Sequence, residues 1–147
     1  MAENIIPWTT PVNVERVTTL PKASEWAWDF ENYEFARNDA GQFYKVYDNE
    51  AIKIWIWKIF KTWQEHEIIH TPAYGSDLWS LIGQGFSRGF TESEARRIAR
   101  EALENSLGGY IRAIGTIDVK MIGSRLHLKI PITTIYDNRE EVFNIAI

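Results

Sequence analysis

The chain has 147 residues, 45% of them hydrophobic and 24% charged, which suits a single soluble core and leaves no apolar run long enough to span a bilayer. A formal charge of -4 supplies no basic stripe for duplex nucleic acid, and the lack of cysteine excludes disulfide frameworks and thiolate metal sites. With 7 Trp, 7 Phe and 6 Tyr, aromatic side chains must either fill the core or furnish an interface.

Residues 1–24 hold Pro7, Pro11 and Pro21 without sustained periodicity and are expected to form an extended arm, ordered where a partner holds it, by wrapping a neighbour, and otherwise disordered. Residues 25–147 are expected to form one domain. The acidic, proline-broken start does not read as a signal peptide, and together with the missing cysteines it suggests assembly in a reducing cytoplasm.

Trp26, Trp28 and Phe30 alternate with Ala27, Asp29 and Glu31, the pattern of a half-buried strand, and residues 43–47 are placed to return as its hairpin partner. Ile52, Trp55, Ile56, Ile59, Phe60 and Trp63 share a helical stripe, with Asp48 or Asn49 as the cap. Lys53, Lys58 and Lys61 fall off that stripe. Trp57 does too, and so is expected to face a partner. Ser76 and Asp77 are read as capping a short helix through Ile82, ended by Gly83 and Gly85. Thr91 to Glu94 reads as a capping box for a third helix with Ala95, Ile98, Ala99, Ala102 and Leu103 inward. Alternation then marks strands at 117–121, 126–132 and 142–147, with turns at Gly123-Ser124 and Asp137-Asn138. The expected fold class is α+β: an N-terminal strand or hairpin, three helices and a C-terminal antiparallel β-meander.

One string suggests chemistry. His66-Glu67-Ile68-Ile69-His70 is H-E-x-x-H, the zinc metallopeptidase pattern. Such a site needs two histidines on one stable helical face and a further ligand. Pro72 follows His70 by two residues and frays the helix. His127 alternates outward on a strand, and Glu92 and Glu94 are accounted for by the first turn of a helix. A peptidoglycan hydrolase using Glu65, Glu67 and Asp77 is the other enzymatic alternative, with no fixed carboxylate separation to support it. "GQGFSRG" links helices instead of following a strand, so a phosphate cradle is not expected. No catalytic residue, metal ligand or cofactor is expected.

From "WAWDFENYEF" through "EAIKIWIWKIFKTW", the P-x-Y-G-S turn in "IHTPAYGSDLWSLIG" and "EARRIAREAL" to Val142, the chain resembles the baseplate wedge proteins of contractile phage tails. These are also called sheath initiators, and the likeness is to their short, Gram-positive-type branch. The resemblance implies a structural protein of a phage or tail-like bacteriocin, with the tail sheath, wedge proteins and tube- or hub-proximal proteins as partners. It further implies six copies per baseplate. It places Glu67 on the family's glutamate, Ile68 where an arginine is expected and His70 where the branch has tyrosine. Some relatives are labelled lysozyme, but nothing here supplies the buried acid that reaction needs.

Within that resemblance, the last strand "VFNIAI" is an apolar edge suited to β-augmentation by another chain's strand, templating the first sheath ring. The expected interface residues are Val142, Phe143, Ile145 and Ile147 on this strand, Trp57 on the first helix, and Glu67, Pro72, Tyr74, Gly75, Ser76 and Leu78 around the central turn.

Overall fold

A computed structural model describes residues 19–64 and 74–147. Most of the expected arm, and the whole H-E-x-x-H string with Glu65, Glu67, Ile68 and Pro72, lie outside the described residues.

The N-terminal half carries two small two-stranded antiparallel sheets, the inner of which is a hairpin. β1 (Ser24–Trp26) pairs antiparallel with β4 (Lys45–Tyr47), and β2 (Trp28–Asp29) pairs with β3 (Glu34–Phe35). The strand expected through Trp26, Trp28 and Phe30 is therefore split at Ala27, whose N–H donates to the Tyr44 carbonyl and whose carbonyl accepts from Ala36. Ala23 and Ala27 are buried while Trp26 stays exposed, and the Asp29 carboxylate turns the chain toward β3 by accepting from the Glu31 and Asn32 amides.

α1 (Asp48–Lys61) carries the expected stripe inward: Ile52, Ile56, Ile59 and Phe60 are fully buried. Its cap differs from expectation. Tyr47 occupies the cap position without a side-chain bond, Asp48 takes a φ of 53° and pairs with Lys22, and Asn49 reaches away to Glu141 and Thr134. The middle helix expected at 76–82 is only a 3-10 turn, Leu78–Leu81, so the described residues hold two α-helices and not three. No side chain caps it, and the chain turns out of it through Gly83 and Gly85, both at positive φ. α2 (Arg88–Leu107) starts three residues before the expected box, because the Ser87 hydroxyl accepts from the Phe90 amide; Thr91 is already helical and buried.

The C-terminal meander forms as expected, with one addition. β7 (Arg125–Thr134) is its central strand. β8 (Glu141–Ala146) pairs along one side; β6 (Asp118–Ile122) and β5 (Ile111–Ile114) lie end to end along the other. At the break between β5 and β6, Arg100 and Arg96 of α2 donate to the carbonyls of Gly115 and Ile117. Pro131 is tolerated in this central strand because its missing N–H would face that break, where its carbonyl still accepts from Gly115.

Leu126, Leu128, Ile130 and Ile132 of β7, with Phe143 and Ile145 of β8 and the following Ile147, form the inner face against α1 and α2. His127, Lys129, Lys120 and Asn144 lie on the outer face, as the alternation requires. Among the described residues no helix is long and apolar enough to cross a membrane.

Candidate docking edge

Among the described residues β8 pairs with β7 alone, so there its other side is a sheet edge. The register fixes which groups it presents. Leu126 and Ile147 exchange both backbone hydrogen bonds, and Leu128 is opposite Ile145 and Ile130 opposite Phe143. In an antiparallel ladder the intervening residues then turn their N–H and C=O groups outward. Val142, Asn144 and Ala146 are those residues. The interface residues expected from sequence divide accordingly. Phe143, Ile145 and Ile147 anchor the strand in the core, whereas Val142, opposite Pro131 and 55% exposed, has its side chain on the outer face and its backbone groups on the edge.

The edge runs beside α1. Asn49 at the start of α1 donates to the Glu141 carboxylate at 3.1 Å, and Lys61 at its end donates to the Ala146 carbonyl at 2.8 Å. Helix and strand thus run in the same direction. Between them lies a groove of about 450 Å³, floored by β8 and walled by Lys53, Ile56, Trp57 and Lys61 of α1 with Phe30 and Tyr33 of the N-terminal hairpin. Trp57 lies off the core stripe, as expected, and its ring contacts Trp28, Phe30 and Tyr33 at centroid distances of 5.3, 6.1 and 6.5 Å. These contacts pack one wall against the hairpin while leaving the Trp57 side chain partly exposed. Burial and the nearby Arg125 cation push the Lys61 pKa below the ordinary lysine range.

The central turn is positioned from the same helix end. Lys61 reaches Ala146, while the next residue, Thr62, accepts from the Ser76 amide at 3.0 Å and Gln64 donates back to the Ser76 carbonyl. Trp63 and Ser76 form a parallel bridge. Gly75 has a φ of 101°, and a Cβ there would stand 2.7 Å from the Thr62 carbonyl oxygen, so only glycine fits. Ser76 and Leu78 are wholly buried, and Tyr74 packs half-buried against the core, where burial and then Glu25 push its phenol upward. Their side chains build the turn. Glu67 and Pro72 lie outside the described residues.

Sequence reasoning missed Lys53, Lys61, Ile56, Phe30 and Tyr33 as groove residues. The available signal was the spacing Lys53-Trp57-Lys61, one stripe at intervals of four that is separate from the core stripe. It also missed an exposed apolar patch formed by Trp26, Phe35 and Phe43, with Lys45 over Trp26 and Arg37 over Phe43.

Chemically the described residues offer adhesion. No three His, Asp or Glu side chains among them converge on a metal position. The described residues form an α+β domain with an open strand edge beside an aromatic-walled groove, the geometry that β-augmentation uses. The chain belongs to the contractile injection system sheath initiator family, whose model matches residues 24–137. No curated protein matches it. It is therefore a structural component of a contractile injection system particle, working among sheath and baseplate proteins, and not an enzyme. The zinc peptidase and hydrolase alternatives end here.

Proposed function

We propose that this chain joins the baseplate to the first sheath ring by taking a sheath strand onto the free edge of β8, so that the added strand templates the ring. The observation that carries this reading is the outward set of Val142, Asn144 and Ala146 backbone groups beside a groove of about 450 Å³. Ladder bonds would supply adhesion, and side chains entering the groove would supply selectivity. An unprotected edge of this kind is a hazard in an isolated protein and an attachment point in an assembly.

The remaining contacts follow the same proposal. The turn around Tyr74 to Leu78, with Glu67 and Pro72 leading into it, docks on wedge and tube- or hub-proximal proteins. The arm wraps a neighbour, six copies complete the ring, and assembly takes place in the bacterial host cytoplasm. Hydrogen exchange on the free chain and on assembled particles tests the central step. The amides of Val142, Asn144 and Ala146 are expected to exchange rapidly in the free chain and to gain protection in the particle. Unchanged exchange at all three would contradict strand addition.

A further inference from the structure

The groove has a charge that the chain as a whole does not. Among the described residues its charged lining residues are Lys53 and Lys61, in a chain of formal charge -4. Neither lysine has a carboxylate within ion-pairing distance among the described residues. Lys53 leans over the Phe30 ring at 5.5 Å, and Lys61 caps the Ala146 carbonyl at 2.8 Å, on an outward edge position that an added strand would need.

The spacing of this wall is informative. Lys53, Trp57 and Lys61 follow one another at intervals of four, each step advancing about 6 Å along the helix. Two residues of a β-strand advance about 6.6 Å and return to the same face. A strand lying along β8, beside the nearly codirectional α1, therefore meets cation, aromatic ring and cation with three successive side chains of one face.

Resting on the reading of β8 as the acceptor edge, we propose that the groove selects a sheath strand whose inward face reads acidic–x–apolar–x–acidic. The central apolar side chain seats on Trp57, and the flanking carboxylates pair with Lys53 and Lys61. On docking, Lys61 leaves the Ala146 carbonyl, which accepts a backbone N–H of the incoming strand instead. The Lys61 ammonium exchanges a neutral acceptor for an anionic one, and the count of hydrogen bonds is conserved.

The test uses the full chain and two blocked peptides, one centred on Glu-Thr-Val-Thr-Glu and the other on Lys-Thr-Val-Thr-Lys, with affinities read from amide shifts of Val142, Asn144 and Ala146. The acidic peptide is expected to bind about tenfold more tightly at low salt, with the margin shrinking as salt rises. Substituting Lys53→Met and Lys61→Met together, with unchanged melting, is expected to abolish the margin while leaving residual binding. Asn144→Pro is expected to remove binding of both peptides. Equal affinities in the wild type, with Asn144→Pro still blocking both, would overturn the acidic pattern and leave the acceptor edge standing. Binding indifferent to Asn144→Pro would overturn the edge itself, and absence of binding by both peptides would overturn the acidic pattern. Binding that appears only after removal of residues 1–18 would make the chain's own N-terminal segment the occupant. Edge-dependent self-association would make it a second copy, and either result overturns the proposal.

Discussion

The Glu25 carboxylate and the Lys58 ammonium meet at 2.7 Å, tying β1 to the last turn of α1. The same carboxylate accepts from the Trp55 indole at 3.0 Å and from the Trp26 amide. Burial alone would raise its pKa, but Lys58, the Trp26 amide and Trp55 outweigh burial and hold it below the ordinary value. A carboxylate depressed on folding stabilises the protein above its unfolded pKa of about 4.3, and that contribution is lost as pH falls through the folded value. Glu25→Gln is expected to cost about 1 kcal/mol at neutral pH, a modest figure because Lys58 remains 42% exposed. The cost should vanish in acid, as measured by urea unfolding from pH 7 down to 3. A pH-independent difference would contradict the assignment.

Gly75→Ala should destabilise the chain by about 2–3 kcal/mol, since the new methyl meets the Thr62 carbonyl and the backbone is left-handed. Gly41→Ala, also at positive φ but with open space around it, serves as the comparison and should cost less. Thermal melts of the two variants decide this; equal losses would mean that close approach to Thr62 is unimportant.

Trp57→Ala should weaken sheath capture more than it weakens the fold. Its ring stacks on the N-terminal hairpin but belongs to the groove wall, whereas Ile56 beneath it is fully buried. Losses of at least tenfold in capture are expected, the scale of an interface anchor. Ile56→Ala should instead lower stability by about 2–4 kcal/mol.

Purified protein should contain no stoichiometric zinc, and His66→Ala should leave its melting temperature unchanged when metal is added. One zinc per chain, lost in that variant, would contradict a purely structural role for the protein.

Periodicity made the larger elements legible. The stripe Ile52-Ile56-Ile59 and the alternation Leu126-Leu128-Ile130 each have one buried face, and tertiary packing preserved both. What failed was local. Asp77 resembled a cap, but two positive-φ glycines and a buried Leu78 hold the segment to a single 3-10 turn. Ser87 outcompeted Thr91 because a helix can begin wherever a hydroxyl meets a free amide, and the intervening Gly89 did not prevent it. The docking edge was half legible. The apolar residues of β8 were recognised, yet those side chains anchor the strand, and the presented groups are backbone atoms of their neighbours. Lys53 and Lys61 read as solvated helix positions until α1 is laid beside β8, a placement set by Asn49-Glu141 and Lys61-Ala146 contacts at least 85 residues apart.

Seeding of sheath on baseplates carrying Asn144→Pro is the most direct test of the edge mechanism. The substitution removes an outward N–H without touching the ladder to β7, whereas deleting residues 142–147 would also strip Phe143, Ile145 and Ile147 from the core. Phe143→Pro, which breaks an inward ladder bond, is the folding control and should melt lower. Asn144→Pro protein is expected to fold, enter the baseplate and fail to start a sheath; normal sheaths on such baseplates would contradict strand addition at β8.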